Sequence, residues 1–177
     1  ALLLIKKVNV YRTQTGSLEI IVTMYNEILA TLLPVEKPLL ADRIDKMNIA
    51  LLQGIDSLKW NSQNIDPFIN NAMNTVTEVD ELVRKMKTNV KRMQEYMAKW
   101  EKPLFERKNK PLAPEDLEQT HQSLVMPRIE DIKNHGKEIQ KLLKDTSESI
   151  RPDKKSQTWL SYVDYVNGLV IEGITKG

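Results

Sequence analysis

At 177 residues with 41% apolar content the chain can bury a core, and 26 basic against 24 acidic residues leave a net charge of +2, too weak a field for phosphate-led nucleic-acid binding. With no cysteine it has no disulfide, thiolate nucleophile or Cys-based zinc site, and it suits a reducing, cytoplasmic compartment. The longest strongly apolar run, Ala1 to Ile5, falls far short of the roughly 20 residues that span a bilayer, so no membrane partner is expected.

The chain begins without Met and stops inside a periodic apolar pattern, which predicts a piece of a longer protein. From Leu18, the residues Ile21, Val22, Tyr25, Ile28, Leu29, Leu32 and Leu33 fall on one helical face, giving a first helix over 17–33. Pro34 and Pro38 separate it from a second helix over 38–58, carried by Leu40, Ile44, Met47, Leu51, Ile55 and Leu58. These two should pack as a hairpin.

Asp66 and Pro67 read as an N-cap and first helical residue. From there Ile69, Ala72, Val76, Val79, Val83, Met86, Val90, Met93, Met97, Trp100 and Leu104 alternate spacings of three and four, a heptad seam. A helix over 66–106, about 60 Å long at ~1.5 Å per residue, follows. Lys108 to Pro114 reads as a turn, and a fourth helix over 114–147 carries Leu117, Leu124, Val125, Ile129, Ile132, Ile139 and Leu143, with a kink at Pro127. Arg151 to Lys155 breaks the chain again, and Ser156 can cap a fifth helix bearing Trp159, Tyr162, Val163, Val166, Leu169 and Val170. The expected fold is all-α, an elongated antiparallel bundle with one very long heptad-patterned helix. Residues 1–150 form the bundle, and 151–177 form a linker and the first helix of the next. The apolar stripe of that last helix should fold back on its own bundle or pair with another copy.

The only histidines, His121 and His135, lie roughly 21 Å apart by helical rise, too far to share a metal, and read as helix-surface residues. Six isolated glycines form neither a phosphate-cradling loop nor a dinucleotide fingerprint, so no nucleotide, cofactor or metal site is expected. Arg84, Lys85, Lys87, Lys91 and Arg92 are candidate partner-binding residues, which a functional reading would aim at acidic tubulin tails or a nucleic acid. A solvated helix face supported by Asp80 and Glu81 at i,i+4 explains them more simply. The run Met86, Met93, Met97 and Trp100 continues the valine seam and reads as core rather than as an adaptable groove.

Leu32-Leu-Pro-Val-Glu-Lys-Pro38-Leu39-Leu40, followed by Gly54, Leu58, Trp60, Ser62 and Ile65, resembles the N-terminal tail region of dynein heavy chains. Trp100-Glu-Lys-Pro-Leu-Phe105, Trp159 to Val166 and Tyr11 to Gly16 are similar to the axonemal outer-arm beta type. The resemblance implies a non-catalytic structural segment that transmits force in a microtubule motor complex of the cilium or flagellum axoneme. Its partners would be intermediate and light chains and other heavy chains, with the motor ATPase elsewhere in the parent chain. It carries over no contact residue. On structural grounds, Gly54 is expected to permit a close approach or a helix exit, and Trp60 to anchor the following corner. A spectrin-like or coiled-coil cytoskeletal linker is the alternative. An enzyme with a bundle-core site would need inward carboxylates or Glu-x-x-His pairs, which the sequence does not offer.

Overall fold

Apolar residues at helical spacing, and no run of alternating polarity, give a chain built from helices. The computed structural model describes residues 2–59, 62–101, 119 and 121–176. In order these are α1 (Leu2–Thr31), a 3-10 turn (Lys37–Leu40), α2 (Ala41–Leu52), α3 (Gly54–Ser57) and α4 (Ile65–Ala98). A π-helical turn (His121–Val125), α5 (Met126–Ile150) and α6 (Gln157–Lys176) complete the described part. No strand occurs among the described residues.

By internal contacts the chain divides into two compact units, Ala1–Lys85 and Met86–Gly177. In the first, α1 turns back on α2 through a connection held by Glu36, which is only 1% exposed. Its carboxylate accepts the Leu33 backbone N–H at 2.8 Å, giving that donor a partner just past the last residue of α1. Tyr25 on α1 donates to Asn48 on α2 at 2.7 Å. Arg43 reaches Glu78, and Asn71 donates to Gln53. Contacts that run forward along α2 and backward along α4 mark an antiparallel pair.

Pairing in the second unit is antiparallel as well. Asn89 bonds residues at the end of α5, whereas Trp100 meets His135 and Arg128 near its start. Ser156 caps α6, its hydroxyl accepting the Trp159 N–H. The α6 stripe folds back within this unit: Trp159, Tyr162 and Val166 are buried, and Gly173 lies against Met97 and Trp100.

Several expected boundaries move. The first helix starts at Leu2 rather than 17, and Gly16 sits inside it. The span expected as one helix over 38–58 is divided into the 3-10 turn, α2 and α3. The long helix has 34 residues, Ile65–Ala98, and Asp66 lies in its first turn rather than at the cap. Its α-helical ladder gives way to a turn at Lys99–Glu101. There Arg128 donates to the carbonyls of Lys99 and Trp100, taking over acceptors that a further turn would have used. Pro127 falls in the first turn of α5, after the π-helical turn. Without an N–H it cannot extend an α ladder backward, so the irregularity expected there is a wide turn. The expected turn at 108–114, the start at Pro114 and the residues Leu104, Leu117 and Trp60 lie outside the described residues.

Candidate functional site

Heptad spacing places one face of α4 inward. Ile69, Val76, Val79, Val83, Met86, Val90, Met93 and Met97 are buried, and Trp100 just past the helix end is 2% exposed. The methionine run is therefore interior, with no thioether face open to a ligand. Along the π-helical turn and α5 the stripe is less regular. Ile139 is buried, but Leu124 and Ile129 are 44% and 40% exposed.

The polar contacts of the second unit are structural. Buried Asn89 donates to Asp145 at 2.9 Å and to Thr146 at 3.0 Å, satisfying an amide that would otherwise be costly to bury. The Trp100 indole N–H donates to His135 Nδ1 at 3.0 Å, and the imidazole also packs on Tyr96, with ring centroids 5.0 Å apart. Contrary to the surface reading, His135 is half-buried and has a specific partner, while His121 is exposed in the π-helical turn. Trp100 signalled this only indirectly, because a buried indole needs an acceptor somewhere.

The basic residues of α4 do not converge. Arg84 is exposed and ion-paired with Asp80 at 2.6 Å; that hydrogen bond, then the Asp80 charge, hold its guanidinium above the usual range. Lys85 is exposed and Lys87 half-buried, both with partners of their own. Lys91 and Arg92 are exposed, and Arg92 edges a groove of about 610 Å³ between α4 and α5. Across that groove Glu138 bonds Lys141 and raises its ammonium pKa. On α6 the hydrogen bond and charge of Lys176 hold the Glu172 carboxyl below the usual carboxylate range. These are exposed pairs, screened by water and worth little.

The motif residues shape the first unit. Leu40 is fully buried, Leu39 is half-buried and Pro38 is exposed at the start of the 3-10 turn. Ser62 and Ile65 are half-buried, and Leu58 is 44% exposed. Gly54 is buried where a methyl group would stand 2.8 Å from the Phe68 ring, so a side chain there would force a shift. Phe68 itself was not singled out from the sequence, because nothing local marks it as the partner of Gly54.

Among the described residues no three His, Cys, Asp or Glu side chains are grouped to hold a metal, and no helix is long and apolar enough to cross a membrane. Residues 1–68 match the family described as dynein heavy chain, N-terminal region 1. The flagellar outer-arm dynein beta chain of Chlamydomonas reinhardtii is 36% identical over 167 residues, 93% of this chain. Axonemal dynein heavy chain 17 of Mus musculus is 34% identical over 164 residues, 92% of this chain. The ciliary dynein beta chain of Heliocidaris crassispina is 32% identical over 165 residues, also 92% of this chain. The chain spans only 4% of the length of these relatives. With 32–36% identity to these three dynein chains over 92–93% of its length, the chain belongs to the dynein heavy-chain family, in the N-terminal region.

Proposed function

We propose that this chain is a non-catalytic segment of a dynein heavy-chain tail. It transmits force along its helices and scaffolds assembly with intermediate and light chains and other heavy chains, in a microtubule motor complex of the ciliary or flagellar axoneme. The observation that carries this reading is the α4 seam, whose apolar positions from Ile69 to Met97 are buried, while the buried polar Asn89 beside them is tied to Asp145 and Thr146 of α5. The space that bundle enzymes use for chemistry is filled here by packing. The buried carboxylate of Glu36 is engaged with backbone rather than exposed to a substrate. Under the same reading, residues 1–150 belong to one tail bundle and 151–177 are the linker and first helix toward the next, with α6 resting on Met97 and Trp100 in this segment. No glycine-rich loop is available to cradle phosphate, so Mg-ATP is expected to give a flat calorimetric trace.

Deleting this segment from the full heavy chain tests the proposal. Intermediate and light chains should be lost from the purified complex while the ATPase of the motor portion persists. Retention of every subunit at normal stoichiometry would contradict it.

A further inference from the structure

The first half of α1 carries an apolar surface that its own unit leaves uncovered. Gln14 donates to Asp66 at 2.8 Å. Ahead of this tie, Leu3 is 73% exposed, Leu4 68%, Val8 55%, Val10 52% and Tyr11 40%. Every residue from Leu3 to Thr13 is exposed, Ile5 at 58% among them, and exposed apolar side chains this dense, with Leu4, Val8 and Tyr11 sharing one face, mark an interaction site.

Its pattern and charge narrow the occupant. Leu4, Val8, Tyr11, Thr15 and Leu18 alternate spacings of four and three, the repeat that seats one helix against another. Lys7 and Arg12 occupy the two borders of that stripe, and the first acidic residue of the chain is Glu19. In a helix pair the border positions face the partner's border positions. A second copy laid along this stretch in parallel would set Lys7 against Arg12 on both sides, which is like-charge repulsion. We infer that residues 3–12 of α1 are a docking surface for another polypeptide, an amphipathic helix whose apolar stripe is bordered by carboxylates. This deepens the scaffolding role by naming one surface and the chemistry of the partner it takes. It rests on that reading only for the partner's biological identity.

Two labelled heptad peptides test it on the 177-residue chain by fluorescence anisotropy. Both carry leucine at the seam positions; one has glutamate and the other lysine at the borders. The glutamate peptide should bind at least tenfold more tightly. Val8→Asp in the chain should abolish that binding without shifting the helical melt, because Val8 is open to solvent, and Lys7→Glu with Arg12→Glu should reverse the preference. Equal binding of the two peptides, or full binding to the Val8→Asp variant, overturns the inference. So does self-association removed by Val8→Asp, which would make the occupant a second copy. Anionic vesicles taken up through Val8 while neither peptide binds would also overturn it, in favour of a lipid surface. The assay needs no motor complex, so its failure leaves the tail reading standing, and subunit retention in the deletion experiment leaves this result standing.

Discussion

Gly173 on α6 lies so close to Met97 on α4 that a methyl group at its Cα would stand 2.9 Å from the Met97 Cβ. The obstructing atom is a Cβ, so it cannot swing aside as the end of a flexible side chain would.

Gly173→Ala should therefore destabilise the protein by roughly 1–3 kcal/mol, the usual cost of overpacking. Gly168, on the same helix, has open space where its methyl would go, so Gly168→Ala should stabilise by about 0.5–1 kcal/mol. Thermal melts of the two variants should move in opposite directions. A shift of the same sign would mean that α6 does not pack closely through Gly173.

Trp100 is 2% exposed and its indole N–H has His135 Nδ1 as acceptor. His135→Phe keeps a ring but removes the acceptor, and should cost roughly 1–3 kcal/mol. Proton exchange at the Trp100 indole, followed by NMR, should accelerate in the variant. Unchanged exchange would show that the hydrogen bond does not protect that proton.

Val83 is 3% exposed on the seam, whereas Lys91 on the same helix is exposed. Val83→Asp buries an unpaired charge and should cost about 3 kcal/mol or more, while Lys91→Asp should stay near ~0.5 kcal/mol. Urea unfolding separates them; equal midpoints would be incompatible with the seam as described.

Arg151 ends α5 in the left-handed region at φ 54°, with its N–H bonded to the Ser147 carbonyl at 2.8 Å. Glycine adopts that conformation without the Cβ penalty. Arg151→Gly should raise stability by up to about 1 kcal/mol, and a clear loss on chemical denaturation would show that the Arg151 side chain contributes more than the strain it introduces.

The seam of α4 was legible because burial follows a period that the sequence itself carries. Val76, Val83 and Met93 can be placed inside without knowing what covers them. The start of α1 was not legible. Ala1 to Ile5 is a continuous apolar run and Gly16 interrupts the pattern, so the four-and-three spacing of Leu4, Val8 and Tyr11 is hidden among apolar neighbours on other faces of the helix. Leu124 and Ile129 show the converse error, since helical spacing says which side chains share a face but not whether a neighbour covers it. At the end of α4, Arg128 reaches the carbonyls of Lys99 and Trp100, a contact that no local pattern reports. The Gly54–Phe68 and Trp100–His135 contacts are likewise tertiary, between residues far apart in sequence. Of the basic residues read as partner-binding, Arg84 pairs with Asp80 as its i,i+4 spacing indicates, whereas the place of Arg92 at the edge of the groove between α4 and α5 depends on the neighbouring helix and is not carried by spacing.

Chemical crosslinking with mass spectrometry on the intact axonemal motor complex tests the central claim most directly. Lys91 lies exposed on α4 and Lys7 borders the uncovered surface of α1. If this segment is part of a scaffolding tail, both lysines should crosslink to intermediate or light chains, or to the N-terminal region of another heavy chain. Crosslinks confined to the ATPase portion of the heavy chain or to tubulin would contradict that account.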